Sequence, residues 1–275
     1  MTNPIAVAEQ ELKDRGIGSV HLDANYAPGV ALVVIDNPQR HNAFSGKMMV
    51  EFRQVVLWLE SKAPEDLVAV IVTGSRGKAF CAGLDLEFAR EHMHTTPTLA
   101  LQVNQVMHDA LSRFARLPLI TVASMAGHAL GGGTELLTAF DYVCMASTAI
   151  IRFVQTRMGV SSPWGGARRL VNSVGRKAAL RILASAPKVT AEQGKALGLV
   201  DVVVDNNKED IYEACLKASL SFLRPFVFDD RAGQEDRVSA GAVRGMKQLV
   251  VRADLDRDYE FEAAILAKLA GSSKI

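Results

Sequence analysis

The sequence lacks long apolar runs. None reaches the ~18 residues that a membrane-spanning helix needs. It also lacks a dominant charge: 31 Lys and Arg stand against 30 Asp and Glu, a net charge of +1. That balance removes the electrostatic case for nucleic acid or an anionic membrane, and leaves room only for a local basic patch meeting a small anion. Cysteine is scarce. Cys81, Cys144 and Cys215 are odd in number and widely spaced, with no CxxC pair. A disulfide framework and a zinc ribbon are therefore not expected, and buried thiols in a reducing compartment are: the cytoplasm, with an organelle matrix as the other option. The first residues, Met1 to Ile5, carry no basic n-region before an apolar stretch, and Glu9, Glu11 and Asp14 follow. This reads as neither a secretory signal nor a transit peptide.

Several catalytic signatures are missing too. Gly131-Gly132-Gly133 does not fit the dinucleotide fingerprint, and Gly74-Ser75-Arg76-Gly77-Lys78 does not fit a P-loop. There is no G-x-S-x-G elbow and no H-E-x-x-H. His92 and His94 are two residues apart without a third ligand in view, so no metal site is expected.

What is present is a chain of 275 residues, 49% hydrophobic and 22% charged, enough for one large domain or a domain with an appended part. Residues 20–23 and 30–36 read as a hairpin around a loop holding Asn25, Pro28 and Gly29. Apolar residues at helical spacing predict helices over 44–59 and 99–117. Short apolar runs at 67–72, 119–123 and 141–145 read as buried strands. Strands alternating with helices give an α/β organisation. Segments 68–86 and 119–137 share one plan of strand, glycine-containing loop and helix, which would set two loops side by side at one end of the strands, where α/β folds hold ligands. Beyond residue 206 the pattern turns helical, over 209–223, 238–252 and 256–269, with breaks at Asn206-Asn207 and Arg224-Pro225. The expected division is a core over 1–205 and a helical region over 206–275.

The glycine cluster 127–133 ends a buried strand and opens a helix. Its glycines admit close approach of a ligand, and its N–H groups at a helix N-terminus favour negative charge. Glu135 lies in the first turn, where compensation of the helix dipole is the plain reading. In the other loop Ala82-Gly83 is side-chain-poor, and Asp85 is a plausible N-cap.

Together these loops resemble the crotonase superfamily. The likeness rests on Asn42-Ala43-Phe44, on Phe80-Cys81-Ala82-Gly83-Leu84-Asp85-Leu86 and on Ala129-Leu130-Gly131-Gly132-Gly133-Thr134-Glu135-Leu136. The resemblance implies a ClpP-like spiral of β-β-α units with a C-terminal helical region. It implies an acyl-CoA substrate, no separate cofactor, and a homotrimer or dimer of trimers. It assigns the oxyanion hole to the backbone N–H groups of Leu84 and Gly132. By the same likeness Ala43, Phe44 and Ala82 face CoA, and Gly83, Gly131, Gln155 and Trp164 line the substrate. The CoA phosphates need cations, for which Arg40 and Lys47 near the first motif are candidates, with ordinary surface charge the preferred reading of Lys47.

The resemblance also bears on the reaction. Family members that hydrate enoyl-CoA use two glutamates. The first falls on Glu135, and alignment on Gly159 puts the second at Gln155, which cannot exchange a proton at neutral pH. The segments 42–49, 113–120 and 151–166 instead resemble members that decarboxylate ethylmalonyl-CoA and, less efficiently, methylmalonyl-CoA. Ser162-Pro163-Trp164 departs from the Pro-Ser-Trp order of that group. Under this reading Glu135 protonates the α-carbon, and Trp164 and Met158 form an apolar wall. Two alternatives remain: a hydratase or isomerase working with Glu135 alone, and a non-catalytic acyl-CoA-binding or RNA-binding relative, the latter disfavoured by the charge balance.

Overall fold

The computed structural model of the protein describes residues 3–93, 98–205, 210–229 and 236–251. Helix α1 (Pro4–Leu12) is capped by the Asn3 side chain and buries Ala8 and Leu12. Strands β1 (Ser19–Ala27) and β2 (Val30–Asp36) form the antiparallel hairpin. The turn is shorter than expected. β1 continues through Asn25 with an irregular register between Asp23 and Ala27, leaving Pro28 and Gly29 as the turn.

Next come α2 (Gly46–Ser61), β3 (Ala69–Gly74), β4 (Ala79–Cys81) and the three-residue α3 (Leu86–Phe88). They are followed by α4 (Leu99–Phe114), β5 (Ile120–Met125), β6 (His128–Leu130) and α5 (Gly132–Leu137). Then β7 (Tyr142–Ala146) and β8 (Ile150–Arg152) lead into α6 (Gly166–Ser185). The described chain closes with β9 (Val189–Thr190), α7 (Ala191–Ala196), β10 (Val202–Val204), α8 (Ile211–Val227), β11 (Phe228–Asp229), β12 (Asp236–Arg237) and α9 (Ala240–Val251).

Three successive strand pairs, β3/β4, β5/β6 and β7/β8, each send one strand to a large sheet and one to a small sheet. The large sheet runs β1-β2-β3-β5-β7-β10, parallel from β2 onward; the small one runs β4-β6-β8-β9. This is the β-β-α spiral that the resemblance implies. The residue pattern alone missed β4, β6 and β8, because three residues are too few to display a strand period.

β3 and β5 are buried along their whole length, since both faces of the large sheet are covered. One face packs on α2 and α4 through Phe52, Phe114 and Met107, joined by Phe44 just ahead of α2. The other meets Leu216, Leu223 and Val227 of α8. α4 stops at Phe114, short of the expected 117. α8 overrides the break expected at Arg224-Pro225: Pro225 sits inside its last turn, where α8 still packs Leu223 and Val227 into the sheet. The expected helix over 256–269 and the break at Asn206-Asn207 lie outside the described residues.

Candidate active site

Four loops meet at one end of the two sheets. In the first, Asn42 takes a left-handed conformation at φ 56°, which asparagine tolerates better than most residues. Its buried amide is fully used. Oδ1 accepts from Asn37 N at 3.0 Å and Ser75 Oγ at 2.9 Å, while Nδ2 donates to Ser75 O at 2.9 Å and Ala79 O at 2.8 Å. The next residues are stitched to the second loop. Ala82 N donates to His41 O at 3.1 Å, Phe44 N to Gly83 O at 2.7 Å, and Asp85 N to Phe44 O at 3.0 Å.

This stitching fixes Leu84. Phe44 and Leu84 form a parallel bridge that uses the amides on either side of Leu84. The Leu84 N–H therefore faces away from Phe44, and it donates to no acceptor among the described residues. Asp85 then caps α3, accepting from Glu87 N at 2.9 Å and Phe88 N at 3.3 Å, as expected.

In the third loop Gly131 turns the chain with φ 51° and ψ −124°, and Gly132 is the first residue of α5. An N–H there has no partner four residues earlier. The second and third loops are in direct contact: a Cβ built on Gly83 falls 2.5 Å from Gly132 N. The far side of Gly132 is closed by Trp164, whose Cζ3 and Cη2 would lie 2.3 and 2.6 Å from a Cβ on Gly132. Neither glycine has room for a side chain.

Glu135 is 1% exposed and lies in the first turn of α5, as dipole compensation asks, but its side chain makes no capping hydrogen bond to that helix. Its Oε2 is taken by the fourth loop. Ser162 Oγ donates to it at 2.6 Å, Trp164 N at 2.9 Å and Gly166 N at 3.0 Å. Its Oε1 faces Gln155 Nε2 at 3.4 Å. Gln155 Nε2 also donates to Gly131 O at 3.1 Å, while Gln155 Oε1 is buried without a partner. Beside Glu135 lies Arg169. Burial pulls its pKa from 12.5 down to about 10, and the Glu135 charge acts in the opposite direction.

Leu84, Gly83, Gly131, Gly132, Glu135, Gln155 and Trp164 are thus neighbours. Ala43 and Ala82 flank them, but Phe44 turns its ring into the core against Phe52, leaving only its backbone at the site. Met158 is 55% exposed, so the apolar wall consists of Trp164 without it. Arg40 is paired with Glu87, and Lys47 with Glu51 and Gly18 O. Sequence reasoning missed the roles of Ser162 and Arg169. An arginine in a helix otherwise rich in exposed cations gave no hint that this one is turned inward. The three thiols are free and buried as expected. A cavity between 73–80, Gly127 and 210–212, and an apolar groove between α6 and α7, are lined by other residues than Leu84 and Gly132.

Residues 25–220 match the enoyl-CoA hydratase/isomerase family. The chain belongs to that family. An ethylmalonyl-CoA decarboxylase of Danio rerio is 44% identical over 262 residues, covering 92% of this chain and 80% of the relative. One from Bos taurus is 36% identical over 249 residues, covering 88% and 76%. Among solved structures, an enoyl-CoA hydratase from Bacillus anthracis superposes with a TM-score of 0.77 over 93% of this chain and 92% of that one, at 22% identity. A second, from Mycobacterium abscessus, titled a probable enoyl-CoA hydratase/isomerase, gives 0.73 at 25% identity over 91% and 89%. No described helix is long and apolar enough to cross a membrane.

Proposed function

We propose that the protein decarboxylates a short malonyl-type acyl-CoA, ethylmalonyl-CoA or methylmalonyl-CoA, through a thioester enolate. The observation that carries this reading is the pairing of Glu135 with an amide. Gln155 Nε2 stands at Glu135 Oε1, where addition of water with two carboxylates would need an acid or base. Decarboxylation does not need that second group. The relatives named as ethylmalonyl-CoA decarboxylases support the same choice.

In the reaction the thioester oxygen sits between the N–H groups of Leu84 and Gly132. The C–CO2 bond, held perpendicular to the thioester plane, breaks. CO2 leaves, and the bonding electron pair delocalises onto that oxygen. Two preset donors in a site closed by Trp164 stabilise the enolate without reorganising; by analogy each is worth roughly 3–4 kcal/mol. The α-carbon then takes a proton, completing butyryl-CoA or propionyl-CoA. Glu135 supplies it through Oε1, the oxygen that the fourth loop leaves open. No other cofactor takes part; Ala43 and Ala82 border the CoA chain.

We further propose a reducing compartment, the cytoplasm or else an organelle matrix, which three free, buried thiols support, and a homotrimer or pair of trimers, which the family resemblance supports. Exposed Leu180, Met246 and Val250 are apolar surface that such an assembly would cover.

The test is a panel of ethylmalonyl-CoA, methylmalonyl-CoA and crotonyl-CoA, with products read by mass. Loss of CO2 from the first two is expected. Hydration of crotonyl-CoA with no loss of CO2 from either malonyl thioester rejects the reading.

A further inference from the structure

Trp164 is held by its backbone from two sides. Its N–H donates to Glu135 Oε2 at 2.9 Å, and its C=O accepts from Arg169 Nη2 at 2.8 Å. The same Arg169 nitrogen also donates to the backbone O of Glu135 at 3.2 Å, and Arg169 Nε donates to Thr138 Oγ1 at 3.3 Å. Glu135 and Arg169 thus hold the two peptide groups that flank the Trp164 Cα. One nitrogen, Nη2, joins α5 to Trp164, and Nε adds Thr138 as a second anchor that fixes the plane of the guanidinium and that a single ammonium nitrogen would not supply. The consequence lies at the indole: with its backbone fixed, the ring lies on Gly132, one of the two residues whose amides would hold the enolate oxygen.

The geometry points to Arg169 as a positioning residue: with Glu135 it pins the Trp164 backbone so that the indole seals the Gly132 side of the amide pair against water. This inference rests on the decarboxylase reading for its kinetic consequence, but not for its structural one. Arg169 itself touches no reacting atom. Its effect reaches the reaction through Trp164, because water entering beside Gly132 would compete for the amide and weaken its hold on developing charge.

The test uses a Trp58→Phe background, which leaves Trp164 as the only tryptophan, since the chain has two. In it, Arg169→Met and Arg169→Lys are compared with Arg168→Met, a change at an exposed neighbouring side chain. Arg169→Met is expected to lower kcat for ethylmalonyl-CoA roughly 10- to 100-fold with little change in KM, and to raise acrylamide quenching of Trp164. Arg169→Lys should fall between it and the parent in both readouts, and Arg168→Met should match the parent. Should Arg169→Met fail to fold, Arg169→Lys against the parent carries the same comparison. Unchanged quenching, with kcat per folded molecule within about twofold of the parent, overturns the inference. If the parent releases no CO2, the reaction assignment fails, while the quenching of the Arg169 variants still decides the positioning role.

Discussion

At Gly132 a side chain has no place to go, because the six-membered ring of Trp164 occupies the position of its Cβ. Gly132→Ala must push the indole away while keeping the amide itself. We expect kcat to fall by roughly 100-fold or more with the fold retained, checked by steady-state kinetics beside circular dichroism. Gln155 supplies a second prediction. Gln155→Glu sets a carboxylate against Glu135 Oε1 and removes the Gln155 donor from Gly131 O, which keeps those of Thr134. Decarboxylation should drop and crotonyl-CoA hydration should appear, both read by product mass; a variant that gains no hydration counts against the role given to the amide. The thiols give a third. Burial pushes Cys81 up to about 12, Cys144 to about 11 and Cys215 to about 12, from 9.0. The folded protein therefore keeps protons that the unfolded chain loses above pH 9, and stability should fall as pH rises from 9 toward 11 or 12. At pH 8 a thiol reagent should react slowly with the native protein and with all three cysteines once denatured. At this scale the sequence was informative where backbone does the work, since glycine spacing marks close approach. It was silent about Glu135 serving as a bracket for residues 162–166, because that depends on which distant loop the fold delivers.

Among the elements, Arg53 joins three helices. It is buried in α2, bonded through Nη1 to Glu9 of α1 at 2.9 Å and through Nε to Asp109 of α4 at 2.8 Å. Arg53→Met strips the largely buried Glu9 of its cation and leaves Asp109 with Arg113 alone. A loss of about 3–5 kcal/mol is expected, measured as a shift in the denaturant midpoint with the slope unchanged. A change under about 1 kcal/mol would show that the triad is solvent-screened. The helices themselves were readable from apolar spacing, as at α2 and α4. The strands of the small sheet were not, being too short, and neither was the passage of α8 through Pro225. A proline in the last turn breaks little, while Leu223 and Val227 on either side of it keep that turn against the sheet.

For the whole molecule, the spiral brings two strand-to-helix turns of successive units side by side, and this places Leu84 next to Gly132. Repetition of one plan in 68–86 and 119–137 was legible; the handing of alternate strands to two sheets came only with the resemblance. In solution the mass should be about three or six times the 29.7 kDa chain, by light scattering; a stable monomer would contradict the assembly. The central claim is that two main-chain amides grip the thioester carbonyl. Butyryl-CoA labelled with 13C at that carbonyl tests it most directly by isotope-edited infrared spectroscopy. The account predicts a carbonyl stretch lowered on binding to the native protein, with the shift diminished in Gly132→Ala. A carbonyl band at its free frequency in the saturated complex would contradict it.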